Sequence, residues 1–166
     1  MPRERPRVPG EWVLLSYRMP REPSTPRIAV WRALKRLGVA QLGDGLVALP
    51  ADPRTREQLE WVANQITEAG GTAGIWLARP ATGPQERELA ADMAAARAAE
   101  YATVLAEATA AAIADSGSRA GVLRRLRGEL RRIGRRDYFP PPEREAAGAA
   151  VAELAAALDT AQEELA

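Results

Sequence analysis

Cysteine and histidine are both absent from this 166-residue chain, and lysine occurs once, at position 35. Without cysteine there are no disulfides, no thiol redox chemistry and no cysteine nucleophile; without histidine as well, Cys/His zinc sites and Ser-His-Asp triads are excluded. Catalysis would have to run on carboxylates, tyrosine or arginine. Asp44, Asp52, Glu57 and Glu60 lie close in sequence, but each has a turn, cap or exposed-helix explanation. No convergent acid, base and nucleophile set is visible, so no enzymatic activity, cofactor or metal is expected. Glycine forms no phosphate loop either, because Gly43-Asp44-Gly45 and Gly70-Gly71 have turn chemistry rather than strand-to-helix spacing. No apolar run approaches the roughly 20 residues that cross a bilayer, and Met1–Gly10 lacks the apolar stretch of a signal peptide, so a cytoplasmic protein is expected.

What is present falls into three parts. Residues 1–10, MPRERPRVPG, carry three prolines and three arginines and read as a flexible basic arm. Residues 11–84 hold two helical patterns among four short apolar runs. WVLLSY (12–17) has the length and composition of a buried strand. Thr25 as N-cap and Pro26 at the first helical position open a helix over about 26–37, which Gly38 closes. VAQLG and LVALP pair across Asp44-Gly45 as a hairpin. Asp52-Pro53 repeats the cap-then-proline signal before Leu59, Val62, Ala63 and Ile66, and TAGIWLAR (72–79) is the fourth strand. The order β-α-β-β-α-β predicts an α+β, ferredoxin-like domain: a four-stranded antiparallel sheet with both helices on one face.

Residues 85–166 form an Ala-rich helical extension. A first helix over about 85–115 shows an apolar stripe of Leu89, Met93, Val104, Leu105, Ala108 and Ile113, and Asp115–Ser118 breaks it. A second helix spans 119–136, and a third runs from about 143 to the end. Alanine buries little area, so these helices need a partner surface, either the first domain or another subunit, and a homodimer is expected.

Charge is where the chain departs most from average. Residues 119–136 hold eight arginines against Glu129, whereas from Asp137 onward seven acids face Arg144, so the net charge of +1 cancels opposed blocks. At 100° per residue from Arg124, Leu123, Leu126, Leu130 and Ile133 fall together between about 180° and 260°. Arg124, Arg127, Arg131 and Arg135 form one row beside that base, and Arg125, Arg132 and Arg136 form another. The planar guanidinium grips phosphate with two parallel bonds, so all seven are expected DNA contacts. The competing reading pairs them with acids of the last helix or of a partner subunit, or assigns them to genome composition. Trp12, Trp31, Trp61 and Trp76 each sit in a predicted element and are expected in the core, with base stacking the alternative. Tyr138-Phe139 before three prolines reads as a stop that docks a helix end, or as a base-stacking pair.

The stretch from Trp12 to Leu105 resembles the N-terminal domain of the ChrB chromate resistance proteins. The motifs that carry it are WVLLSYRMPREPSTPRIAVWRALKRLGV, QLGDGLVALP and EQLEWVANQITEAGGTAGIW, and RRLRGELRRIGRRDYF (124–139) is similar to that family's continuation. The resemblance implies a transcriptional regulator that binds the promoter of chromate-resistance genes through basic residues and responds to chromate or another oxyanion. It also implies a further C-terminal domain, where this chain shows only an acidic Ala-rich helix to Ala166. The strand and helix order is similar, too, to the central domain of PaaX repressors and to Cas2 nucleases. A nuclease of that kind would want an aspartate in the first strand, which reads Leu15-Ser16-Tyr17. The main alternative is a non-enzymatic interaction or dimerisation module.

Overall fold

Trp12, Val13 and Leu15 are buried because β1 (Trp12–Arg18) lies inside a sheet, with strands on both sides. In the computed structural model, which describes residues 7–114 and 116–166, β1 pairs antiparallel with β3 (Leu46–Pro50) and β4 (Thr72–Ala78). Trp12 stands opposite Pro50 on one side and Ala78 on the other. β2 (Ala40–Gly43) pairs with β3, giving the order β2-β3-β1-β4. The turn between β2 and β3 requires glycine. Gly45 has φ +68°, and a Cβ there would lie 2.3 Å from the Tyr17 carbonyl oxygen.

α1 (Ser24–Leu37) and α2 (Pro53–Glu68) complete the expected ferredoxin-like order. α2 begins as its sequence predicts: the Asp52 carboxylate accepts from the Thr55 amide at 2.7 Å, and Thr55 Oγ1 accepts from the Asp52 amide at 3.0 Å. α1 does not. It starts at Ser24 with Pro23 in the N-cap position and no side-chain cap, rather than capped by Thr25. Pro26 falls instead at the third helical position, still in the first turn, where amides lack an intrahelical acceptor and a missing N–H loses nothing. Gly38, at φ 72°, ends α1 as expected.

Three of the four tryptophans depart from the core expectation. Trp12 is 1% exposed, but Trp31, Trp61 and Trp76 are 58%, 69% and 58% exposed. The buried line of α1 runs through Val30 and Leu34 and that of α2 through Leu59, Val62 and Ile66, so Trp31 and Trp61 sit a residue off their stripes. Trp76 lies opposite Leu14 in the register, and its Nε1–H donates to Ser16 Oγ at 2.9 Å.

Three helices follow: α3 (Gly83–Ile113), α4 (Arg119–Arg135) and α5 (Glu143–Glu164), with a short 3-10 turn at Ser116–Ser118. The expected arm up to residue 6, and Asp115 of the expected break, lie outside the described residues. The chain divides into two compact units at Met93/Ala94, inside α3. In the first unit the opening turns of α3 tie down the start of β1. The buried Glu86 carboxylate accepts from the Gly10 amide at 2.7 Å and from Trp12 Nε1–H at 2.9 Å.

The second unit has its own core, in which Tyr101, Val104 and Ala108 of α3 meet Leu123, Leu126 and Ile133 of α4 and Ala147, Val151 and Leu154 of α5. The three helices thus cover one another. The backbones of α4 and α5 approach closely, and the buried alanines Ala108, Ala111 and Ala147 fill the core beside the larger residues. Ile113 is no part of the stripe expected of α3: it is 87% exposed in the last turn, and Tyr101, 1% exposed, is the large buried group. Among the described residues no helix is long and apolar enough to cross a membrane.

Candidate nucleic-acid interface

α4 is set by its apolar line. Leu123, Leu126 and Ile133 are buried and Leu130 is half-buried, which turns the arginines outward on both sides. The two rows meet different surroundings. Arg125 Nη2 lies 2.6 Å from Glu107 Oε2 of α3, Arg132 pairs with Glu129 one turn back, and Arg136 Nη2 lies 2.8 Å from Glu100 Oε2. Glu100 also takes Arg97, at 3.2 Å, so it holds two guanidiniums of low exposure. Arg136 donates in addition to the Arg132 carbonyl at 3.1 Å. Arg119 serves the backbone, with Nε donating to the Ala114 carbonyl at 2.9 Å beyond the end of α3.

Arg124, Arg127, Arg131 and Arg135 are exposed and make no ion pair with any acid among the described residues. The first three line an open cleft of about 340 Å³, whose other wall is Leu158, Asp159 and Gln162 of α5. Four guanidiniums along one face, at spacings of three and four residues, repel one another and present uncommitted donor forks to solvent.

Beyond α4 the chain turns inward. Phe139 is buried and Tyr138 half-buried, the docked stop the sequence suggests. Asp137, whose side chain is fully buried, accepts from the Tyr101 hydroxyl at 2.8 Å and faces Arg144 at 3.6 Å. Burial, and then the bond to Asp137, push the Tyr101 hydroxyl up to about 12.

The acid partners Glu100 and Glu107 escape the sequence reading because the wheel of α4 carries no information on which row faces α3. A second basic group also went unassigned. Arg18, Arg21, Arg27, Arg32, Lys35 and Arg36 fall within residues 18–36 against the single acid Glu22, and a running charge count would have found them. They spread over a strand end, a loop and a helix, so no single periodicity displays them.

The sequence profile described as Protein ChrB, N-terminal, matches residues 27–114, more than half of the chain. Protein ChrB of Cupriavidus metallidurans is 31% identical over 133 residues, covering 78% of this chain and 40% of that relative. The chain therefore spans well under half the length of the relative it matches. No solved structure matches it. The profile takes in most of α1, the hairpin, α2, β4 and α3, and leaves β1, α4 and α5 outside its span. On that match the chain belongs to the ChrB family, through its N-terminal domain.

Proposed function

We propose that this protein is a DNA-binding transcriptional regulator of chromate resistance, contacting the phosphate backbone through Arg124, Arg127, Arg131 and Arg135 of α4. The observation that carries the reading is the contrast between the rows: Arg125, Arg132 and Arg136 have acid partners, whereas these four have none among the described residues. A row of like charges at i, i+3 and i+4 costs helix stability, and alanine at each position would relieve it. A polyanion that supplies the missing charge removes that repulsion. Arg125, Arg132 and Arg136 join the contact only by exchanging their acids for phosphate. Phosphate contacts position the protein, so base reading lies elsewhere or in DNA shape. Protein ChrB of C. metallidurans supports a role in chromate resistance by family relation. Chromate, a doubly charged oxyanion, suits the same guanidinium forks.

The test is fluorescence polarisation with the gene's own upstream DNA and an unrelated duplex at several salt concentrations, with and without chromate. Preferential binding to the upstream DNA, lost in Arg124→Ala/Arg127→Ala/Arg131→Ala, supports the regulator; release by chromate but not by sulfate names the effector. Absence of binding at low salt overturns it. The exposed acids Glu153, Asp159, Glu163 and Glu164 of α5 favour a second reading, in which the free row meets α5 of another copy. In that case Arg124→Glu/Arg131→Glu dissociates an oligomer, whereas under the first reading it abolishes DNA binding and leaves assembly intact.

A further inference from the structure

The first unit carries a basic, aromatic trough that the α4 reading leaves unused. It has a volume of about 790 Å³ and runs between the end of β1, the hairpin turn and the first two turns of α1. Arg18, Arg21 and Arg27 supply its charge, and Ile28 and Trp31 supply its apolar wall. Among the described residues Asp44 is the one acid on its lining, against three guanidiniums. None of the three arginines makes an ion pair with an acid among the described residues. Arg27 Nη1 donates to the Arg21 carbonyl at 3.4 Å, which holds those two residues side by side. Lys35 Nζ lies over the Trp31 ring, 5.1 Å from its centroid, and the indole is still 58% exposed.

Each part of this arrangement restricts the ligand. Guanidiniums without acids call for an anion, and three of them against one carboxylate call for more than one negative charge. A large indole left in water beside them calls for a flat apolar partner. The walls are mostly exposed side chains, so the trough is open along its length and fits a passing chain better than an enclosed small molecule. A sugar-phosphate chain with unpaired bases meets all of these demands: phosphates on the arginines, a base face on Trp31. Paired bases offer no exposed face to stack. An acidic peptide satisfies the arginines but leaves the indole without a partner.

We infer that the Arg18/Arg21/Arg27/Trp31 trough binds single-stranded nucleic acid, with the backbone on the three arginines and one base stacked on Trp31. This goes beyond the duplex contact proposed for α4, since it concerns another unit and another form of nucleic acid.

The test titrates a fluorescein-labelled oligothymidylate of about 15 nucleotides into the full chain at several salt concentrations, with polyglutamate as competitor. Trp31→Ala is expected to weaken binding about tenfold without changing the salt slope, and Trp31→Phe to restore part of it. Arg21→Ala/Arg27→Ala is expected to flatten the slope by about 1.4, two phosphates at ~0.7 each. All these side chains are exposed, so the variants are expected to fold, which circular dichroism checks. Binding that is absent at low salt, unaffected by Trp31→Ala, or displaced equally well by polyglutamate overturns the inference. Arg124→Ala/Arg127→Ala/Arg131→Ala separates the two readings: it is expected to remove duplex binding and leave the oligothymidylate within about twofold. Loss of both together assigns the single strand to α4 and overturns the trough.

Discussion

Tyr101 shows how much one hydroxyl contributes when it is fully enclosed. It is 1% exposed, and its hydroxyl donates to Asp137 Oδ2 at 2.8 Å, linking α3 to the segment after α4. Both burial and the neighbouring carboxylate disfavour the phenolate, so the folded value of about 12 exceeds the ordinary 10.0. The folded state therefore holds the proton more tightly than the unfolded chain. That stability is fully present below pH ~10 and is lost as pH rises to ~12. Tyr101→Phe is expected to cost about 1 kcal/mol near neutrality, where the buried Asp137 loses a donor, and to flatten the decline between pH ~10 and ~12. Urea unfolding at pH 8 and pH 11 measures both. Tyr17, also pushed up by burial, adds a slope of the same sign to both proteins and cancels in the comparison. The Tyr101–Asp137 bond could not be read from the sequence, because 36 residues separate the partners and no local pattern links them.

α4 divides into a half that was legible and a half that was not. Its apolar line and its two arginine rows follow from 100° per residue, and the structure buries Leu123, Leu126 and Ile133 as that rotation requires. What distinguishes the rows is α3, whose Glu100 and Glu107 take Arg136 and Arg125. The same limit applies to tryptophan, since composition marks all four as core and only packing leaves Trp31, Trp61 and Trp76 exposed. The division of α4 makes opposite predictions for the two kinds of charge. Glu100→Gln strands Arg97 and Arg136, whose side chains are only 12% and 18% exposed, and is expected to lower stability by about 1–3 kcal/mol. Arg124→Ala/Arg127→Ala/Arg131→Ala removes repelling charges and adds helix formers, so stability is expected to hold or rise by a few tenths of a kcal/mol. Thermal unfolding of the two variants decides the matter: a comparable loss in both would mean that the free row is structural.

Across the whole molecule, the βαββαβ order was legible because its signals are local: the Asp44-Gly45 turn, the Asp52 cap, the Gly38 stop. The mutual packing of α3, α4 and α5 was not, since alanine-rich helices announce helicity without naming their partners. The near-neutral net charge hid most, because opposed blocks sum to +1. Those blocks meet at the α4 cleft, where Asp159 of α5 shares a wall with Leu158 and Gln162 across from Arg124, Arg127 and Arg131. No ion pair closes across it, so the carboxylate subtracts from the potential a phosphate would feel without consuming an arginine. The consequence separates the number of contacts from their strength. Asp159→Asn is expected to tighten duplex binding about threefold, the order of one screened repulsion at a surface. It leaves the salt slope unchanged, because the slope counts phosphates neutralised and the arginines are the same. The triple alanine variant is expected to do the reverse, lowering the slope from about 3.6, four phosphates at ~0.9 each, by nearly one unit per arginine removed. Polarisation titrations of both variants across a range of salt concentrations test this. If Asp159→Asn steepened the slope, Asp159 would be holding an arginine out of contact, and the free row would be one residue shorter than the structure makes it.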